Sequence, residues 1–509
     1  MQNLLALLLG ALLTLGYAPF SYSIVVPIAL TAIFYIWLKL VDKKQAAWLG
    51  FSFGLGWFGA GISWVHVSIA DFGGLPLIGS LTLMALLVSY LALFPALIFY
   101  CSTRYSQAWL QPFALAAFWV FFEWIRSWFL SGFPWLSLGY SQLDSLFTGW
   151  FPIAGETGVT FILVLSSALC AQVMCRSFNQ SAFVITKESS FLLIVIISSL
   201  LVNRLEFSEV ESEKVSIAMV QGNIEQELRW VPEQDIPTMK KYLYMTRELW
   251  HNQIIIWPEA AVPRLEPLAL DYLTQVDDEA FSSDTGLVTG IANYNFTTTE
   301  AHNALIVLGK FNSAQTEPQY QYLHQNRYAK HHLLPIGEFI PLESWLRGLA
   351  PIFDLPMSSF SRGDYEQASL LVNNYRLLSA ICFEIAFPRQ IRANLRSNTD
   401  FILTVSNDAW FGASHGPAQH LEIAQVRAAE FGIPVLRATN NGITAFIDHR
   451  GKVIKRAPQF EAASIETELA RVGGITPYRW YGDWPLWVLV SVIFMVVGLS
   501  YTRRSQSAN

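Results

Sequence analysis

The sequence predicts two folds in one chain: a membrane α-helical bundle of about eight spans, and an α/β domain of about 260 residues inserted before the last of them. Three observations predict this. Of 509 residues, 53% are hydrophobic and only 14% charged, which is too apolar for a string of soluble domains. The charge is also uneven, since residues 1–203 hold 13 of the 72 Asp, Glu, Lys and Arg side chains, so the first part reads as a chain in lipid and the rest as a chain in water. Beyond residue 214, β-like and helix-like segments alternate, as in an α/β domain whose sheets are covered by helices.

Apolar runs long enough to cross about 30 Å of hydrocarbon lie near 3–20, 23–40, 46–64, 76–99, 108–128, 157–175, 189–203 and 484–501. The first is too long, and too poor in a small-residue cleavage site, for a removable signal peptide, and is expected to stay as a span. The domains are therefore 1–203 with seven spans, 204–483 as a water-facing domain, and 484–509 as the eighth span and tail. Lys39, Lys43, Lys44, Arg104, Arg176, Lys187, Arg503 and Arg504 all fall on one side of this arrangement. The positive-inside rule makes that side cytoplasmic, with both termini, and places 204–483 outside the cytoplasm.

Several features of the membrane part invite other readings. The GLGWFG word at 54–59 matches a nucleotide-binding pattern but lies inside span 3 with no strand before it; close helix packing by Gly50 and Gly54 is the better account. Glu123 and Arg126, three apart near the end of span 5, read as a structural ion pair ahead of a conduction path. In the loop 131–142 that comes after it, Trp135 and Tyr140 are placed at interface depth, either as belt aromatics or as a lipid-contacting loop.

In the water-facing domain, an apolar run at 215–221 ends in QGN. Strands are expected at 254–257, 287–291, 304–308, 320–328, 377–381, 401–405, 435–438 and 443–447. Helices are expected at 238–250, 388–396 and 416–431. Glu259 lies just past the first of these strands, Lys330 just past the fourth and Cys382 at the end of the fifth. Ligands gather at the carboxyl ends of strands in α/β sheets, and these residue types fit acyl transfer. They supply a thiol nucleophile, a carboxylate to take and return its proton, and an ammonium expected both to lower the thiol pKa and to hold an oxyanion. Taken singly, each also suits an ordinary core or loop position.

The segments WPEAAVP (257–263), HLLPIGEFIP (332–341), CFEIAFP (382–388) and SNDAWFG (406–412), in that order, resemble the nitrilase, or carbon–nitrogen hydrolase, superfamily. That resemblance implies an αββα sandwich with a Glu–Lys–Cys triad. With GFPWLSLGYSQ (132–142) and VQGNIEQELRW (220–230), and with such a domain between a seventh and an eighth span, the chain is similar to the apolipoprotein N-acyltransferase family of the bacterial inner membrane.

The resemblance implies a general base at Glu259, an oxyanion partner at Lys330 and a nucleophile at Cys382, with Trp230, Glu338, Glu384 and Trp135 in substrate-binding or supporting roles. Phe383 stands where the family is expected to carry Tyr. The implied substrates are a membrane phospholipid as acyl donor and a diacylated apolipoprotein as acceptor, joined through a thioester, with a periplasmic active site and no cofactor or metal.

Other function classes fare worse. A net charge of −6 without a long basic run argues against nucleic acid. Cys101, Cys170, Cys175 and Cys382 are too few for a disulfide scaffold. The GASHG word at 412–416 puts Ser414 between a strand and a helix, but residues 407–412 separate it from that strand, and Asp448 and His449, its downstream acid and base candidates, are neighbours. The pairs His331, His332 and His415, His420 lack the i,i+4 spacing of two ligands on a helix face. A membrane-tethered amidase would share the triad but leave eight spans without a task, and a transporter would need more charge within them.

Overall fold

The computed structural model describes residues 1–72, 76–105, 109–177, 187–229, 231–335, 337–339 and 360–508, apart from the side chains of 71, 72 and 504–508. The chain divides into two compact units. One comprises Met1–His66, Pro76–Phe207 and Thr476–Asn509; the other is Ser208–Ile475 with a short stretch beginning at Val67.

The first unit is helical. Its helices are α1 (Gln2–Leu12), α2 (Val25–Trp37), α3 (Lys43–Gly61), α4 (Leu77–Tyr105), α5 (Gln111–Arg126), α6 (Phe151–Ser177), α7 (Lys187–Val202) and a C-terminal helix, Trp484–Ala508. Three helical stretches among the described residues, Leu77–Tyr105, Thr148–Ser177 and Trp484–Arg503, are long and apolar enough to cross a membrane. Gln2–Gly16 and Val25–Trp37 are apolar but shorter; at 1.5 Å per residue, the 13 residues of α2 reach about 20 Å. The expected first span is interrupted because the chain tightens into a 3₁₀ turn at Leu13–Gly16.

Glycines set how closely these helices approach. A Cβ at Gly50 would lie 2.5 Å from the Pro95 carbonyl oxygen, and one at Gly54 would lie 2.7 Å from the Ala92 Cα. The GLGWFG word is thus a seam between α3 and α4.

The loop after α5 is held from within. Arg126 donates from Nη1 to the carbonyls of Phe133 (2.5 Å) and Trp135 (2.7 Å) and pairs with Glu123 at 3.5 Å. Ser137 Oγ lies 2.8 Å from Glu123 and 2.6 Å from Glu156, and the Gly139 N–H donates to Thr160 at 2.8 Å. Buried irregular backbone must find partners inside the protein, and these side chains supply them. The same packing overturns the interface reading of Trp135 and Tyr140, which are 1% and 2% exposed. Trp48, Trp109, Trp128, Trp480 and Trp484 are among the exposed rings of this unit.

The second unit is a two-sheet sandwich. Its strands are β1 (Ser208–Gln221), β2 (Ile254–Ile256), β3 (Val262–Leu265), β4 (Gly286–Asn295), β5 (Glu300–Gly309), β6 (Arg327–Ala329), β7 (Leu370–Val372), β8 (Tyr375–Ile381), β9 (Phe401–Ser406), β10 (Val435–Thr439), β11 (Ala445–Ile447), β12 (Val453–Arg456) and β13 (Ala463–Gly474). One sheet runs β13-β1-β2-β4-β5-β6 with β3 beside β4; the other runs β12-β11-β10-β9-β8-β7.

The central strands are parallel: β1, β2 and β4 in one sheet, β8, β9 and β10 in the other. Strands covered on both faces read as near-continuous apolar runs: Ile254–Ile256 is apolar throughout, and Phe401–Ser406, buried at every residue, is apolar but for Thr404 and Ser406. Between the sheets Ile217, Met219, Ile256 and Val288 pack with Leu377, Ile381, Leu403 and Leu436. Helices α8 (Pro232–Thr246) and α9 (Leu270–Ser282) cover the outer face of the first sheet through Met239, Tyr242, Leu273 and Val276. Helices α10 (Pro388–Asn394) and α11 (Gly416–Phe431) belong to the second. This is the αββα order expected.

Several strand expectations change. Of 320–328 only Arg327 and Tyr328 are strand, in Arg327–Ala329; Tyr320 is held out of a ladder by Asp277 at its N–H (3.1 Å) and Glu266 at its hydroxyl (3.1 Å). The short β3, β7 and β12 and the long β13 are not among the expected strands, β13 because Glu466, Glu468 and Arg471 break any apolar run; β13 is the longest of them. It pairs antiparallel with β1 from Ser208↔Gly474 to Gln221↔Ala463.

Candidate active site

The reactive side chains sit where strands stop. β8 ends at Ile381, and Cys382 turns with φ +56° into a 3₁₀ turn, Cys382–Ala386. A left-handed φ is disfavoured for a residue with a Cβ, so something must hold it. Glu384 is one holder. Its Oε2 accepts from the Ile381 N–H (2.7 Å) and the Tyr328 hydroxyl (2.9 Å). Its Oε1 accepts from the N–H groups of His331 (2.8 Å) and His332 (3.0 Å) and from Gln390 Nε2 (2.8 Å). One fully buried carboxylate therefore ties the exit of β6, which carries Lys330, to the exit of β8, which carries Cys382.

Glu259 comes after β2. Its Oε1 accepts from Asn303 Nδ2 (2.7 Å) and its Oε2 from the Asn407 N–H (2.9 Å). Lys330 Nζ lies 3.8 Å from Glu259 and 2.8 Å from Glu338. Glu338 is itself fixed by the Leu334 N–H (2.8 Å) and by Asn303 (2.9 Å). Asn303 thus spends its amide hydrogens on two carboxylates that would otherwise repel each other, with Lys330 between them. Arg229 donates to the Glu259 carbonyl at 3.0 Å.

Charge and burial decide the resting protonation states. Burial would push the Lys330 ammonium down, but Glu338, Glu259 and Cys382 together outweigh it and hold the pKa above the usual lysine value. The Cys382 thiol is pushed up to about 12, by burial first and by the Glu259 carboxylate next, against the pull of Lys330. The expectation that Lys330 would leave the thiol acidified is therefore corrected. The lysine does act in that direction, but desolvation and the adjacent carboxylate act more strongly the other way. Cys382 rests as a thiol and needs a base.

On β9, β10 and α11 a second charged group lies close by. Asp408 Oδ2 accepts from Arg437 Nη2 (2.7 Å), and its Oδ1 accepts from Ser406 Oγ (2.6 Å). His420 Nδ1 lies 3.0 Å from that same Oδ1. Burial would raise the Asp408 pKa, but Arg437 and His420 hold it well below the usual range. Burial, and then Arg437, lower that of His420 against the pull of Asp408.

Residues 9–169 match the family model described as the apolipoprotein N-acyltransferase N-terminal domain, and residues 216–474 match the carbon–nitrogen hydrolase model. An apolipoprotein N-acyltransferase of Photobacterium profundum is 42% identical over 491 residues, spanning 95% of this chain and 92% of that one. One of Vibrio vulnificus is 42% identical over 99% of this chain and 97% of its own length, and one of Vibrio cholerae is 40% identical over 100% and 98%. The chain belongs to the apolipoprotein N-acyltransferase family. It is an acyltransferase whose second unit is a carbon–nitrogen hydrolase domain.

Within that family setting, the structure brings Glu259, Lys330, Glu338 and Cys382 into one interacting set, with Glu384 beneath them. Phe383 is 6% exposed, its ring 5.7 Å from that of His332 and 5.0 Å from that of Phe387. Trp230 lies outside the described residues. Trp135 belongs to the helical unit, buried, its carbonyl taken by Arg126. The Ser414 reading loses its partners, since Ser414 Oγ accepts from the Gly416 N–H at 3.1 Å and Asp448 closes a turn through the N–H groups of Arg450 and Lys452. Asn303 and Arg437 have no role in the sequence reading, Asn407 and Asp408 enter it only within SNDAWFG, and His420 only as a rejected metal ligand. A polar residue interrupting an apolar strand, as Asn303 does in AHNALIVLG and Arg437 in VLRAT, is the local signal that marks these two.

Proposed function

We propose that this chain moves a fatty acyl group from a membrane phospholipid to the α-amino group of the N-terminal S-diacylglyceryl-cysteine of an apolipoprotein, by way of a thioester on Cys382. The observation that carries the reading is the shared set Glu259, Lys330, Glu338 and Cys382 at the carboxyl ends of strands, in a chain that also has helices long enough for a bilayer.

In the first half-reaction the Glu259 carboxylate takes the Cys382 proton and sulfur attacks the ester carbonyl carbon. The Lys330 ammonium, clamped by Glu338, stabilises the tetrahedral oxyanion. Glu259 returns its proton to the departing alkoxide as the C–O bond breaks, which releases lysophospholipid. In the second half-reaction Glu259 takes a proton from the incoming amine and nitrogen attacks the thioester carbon. The C–S bond breaks and Glu259 protonates the leaving sulfur, which leaves an amide and the free thiol. The eight-span arrangement, cytoplasmic termini and a periplasmic catalytic domain in the bacterial inner membrane complete the proposal, supported by the Lys and Arg distribution.

The test is the intact mass of full-length enzyme purified from membranes. A fatty-acyl adduct that maps to Cys382, is released by neutral hydroxylamine and is missing from Cys382→Ala supports the reading. Full transfer activity in Cys382→Ala, or an acyl group on Ser414, refutes it.

A further inference from the structure

The buried group around Asp408 takes no part in the proton and acyl transfers above, yet it ends on the nucleophile itself. Asp408 is 1% exposed, and His420 and Arg437 are fully buried. One ring nitrogen of His420 faces Asp408; the other, Nε2, lies 3.1 Å from the carbonyl oxygen of Cys382. The Cys382 carbonyl and the Asp408 carboxylate both only accept, so both contacts are hydrogen bonds in the imidazolium form, with a proton on each ring nitrogen, the form that Asp408 favours and that burial and Arg437 oppose. The chain of contacts therefore runs from Arg437 in β10, through Asp408 in the turn after β9, to His420 in α11, and stops at the backbone of the one residue in the left-handed elbow.

A buried ionic set is weak evidence for stability, because apolar replacements are often neutral or better. Stability alone therefore gives no reason for a set that finishes on Cys382 O. Glu384 fixes the elbow from the Ile381 N–H side, and His420 is the corresponding hold on the carbonyl after the turn.

We infer that His420 is a positioning residue which, braced by Asp408 and Arg437, grips the Cys382 carbonyl and keeps the elbow in its left-handed turn so that the thiol stays aligned with Glu259 and Lys330. This rests on Cys382 being the nucleophile. Without the grip the elbow can relax toward ordinary φ, and a displacement of about 1 Å at a reacting atom costs roughly 10²-fold in rate.

Acyl loading of Cys382 in the full-length enzyme, from a defined diacylphospholipid in mixed micelles, tests this by time-resolved intact mass, together with the KM for a diacylated lipopeptide acceptor. His420→Leu should load about 10²-fold more slowly with that KM unchanged, and His420→Gln, which keeps an N–H donor near the position of Nε2, should recover most of the rate. Loading by His420→Leu at the wild-type rate, or His420→Gln no faster than His420→Leu, overturns the inference. If His420→Leu does not purify folded, His420→Gln decides: loading within about tenfold of wild type supports the grip, and loading at the Cys382→Ala level overturns it. Wild-type enzyme that never carries an acyl group overturns the thioester reading instead, so the two failures are distinct.

Discussion

Glu384→Gln changes one atom in a fully buried side chain and can be worked through donor by donor. The carboxylate accepts five hydrogen bonds, three at Oε1 and two at Oε2. An amide nitrogen at the Oε1 position would strand the N–H groups of both His331 and His332, so the amide will place it at Oε2. There the Tyr328 hydroxyl can turn and accept, but the Ile381 N–H cannot, and it is left facing another donor. One buried N–H without a partner costs about 1–3 kcal/mol. The loss falls on the residue immediately before Cys382, so its effect on rate should exceed its effect on stability, with acyl loading slowed about 10²-fold through misalignment. Glu384→Ala strands all five donors and should lower the thermal midpoint far more. Thermal unfolding in micelles and the loading rate of Cys382 check both. Wild-type loading by Glu384→Gln would refute the view that this carboxylate sets the elbow.

Alkylation of Cys382 by iodoacetamide should be slow at neutral pH and rise with pH toward a midpoint well above that of an ordinary thiol, because burial and Glu259 raise the pKa and the thiolate is the reacting form. Glu259→Gln removes the repelling charge and should move the midpoint down, while its acyl loading falls about 10²–10⁴-fold for want of a base; an unmoved or rising midpoint contradicts the electrostatic account. Phe383→Tyr should change activity little and Phe383→Ala should lower it by opening a void beside His332 and Phe387, so a large gain on introducing Tyr would show that a hydroxyl is needed there. A reporter active only outside the cytoplasm should work when fused after Phe207 and stay silent after Lys44 or Lys187, and the reverse pattern would sink the proposed orientation.

Glu259 and Cys382 were legible because each comes after an apolar run that reads as a buried strand, whereas Lys330 follows the polar stretch 319–329, of which only Arg327–Ala329 is strand, and stood out through the family resemblance. Their supports were not legible, since the contacts that matter join distant positions. Asn303 reaches Glu259 and Glu338, and His420 reaches Cys382 and Asp408, and no local pattern encodes those pairings. The thiol's charge state was misjudged for a related reason. Lys330 in the sequence signals an acidified thiol, whereas the depth of burial and the position of Glu259 set the sign. In the helical unit, Trp135 and Tyr140 look like interface aromatics in one dimension, and only the Arg126, Glu123 and Ser137 bonds show that their loop is folded inward. β13 escaped notice because an edge strand with one exposed face alternates charge instead of running apolar.

The pairing of β1 with β13 gives the second unit a timetable. β1 is among its first residues to leave the ribosome and β13 its last, so at about 5–20 residues per second the register Ser208↔Gly474 waits on the order of 10–50 s for its partner. Until the residues from Ala463 onward emerge, one border of β1 has no neighbour, which is the condition under which a strand recruits other chains. The outer part of β1 is protected in that interval by its own composition, Glu209, Glu211, Glu213 and Lys214 being exposed, whereas the inner part, Val215 to Gln221, has no such guard. A nascent chain that stalls or is cut short before residue 463 would therefore present an apolar, unpaired strand, and this enzyme should depend on completed synthesis, or on a chaperone that covers β1, more than its sandwich of parallel strands alone would suggest.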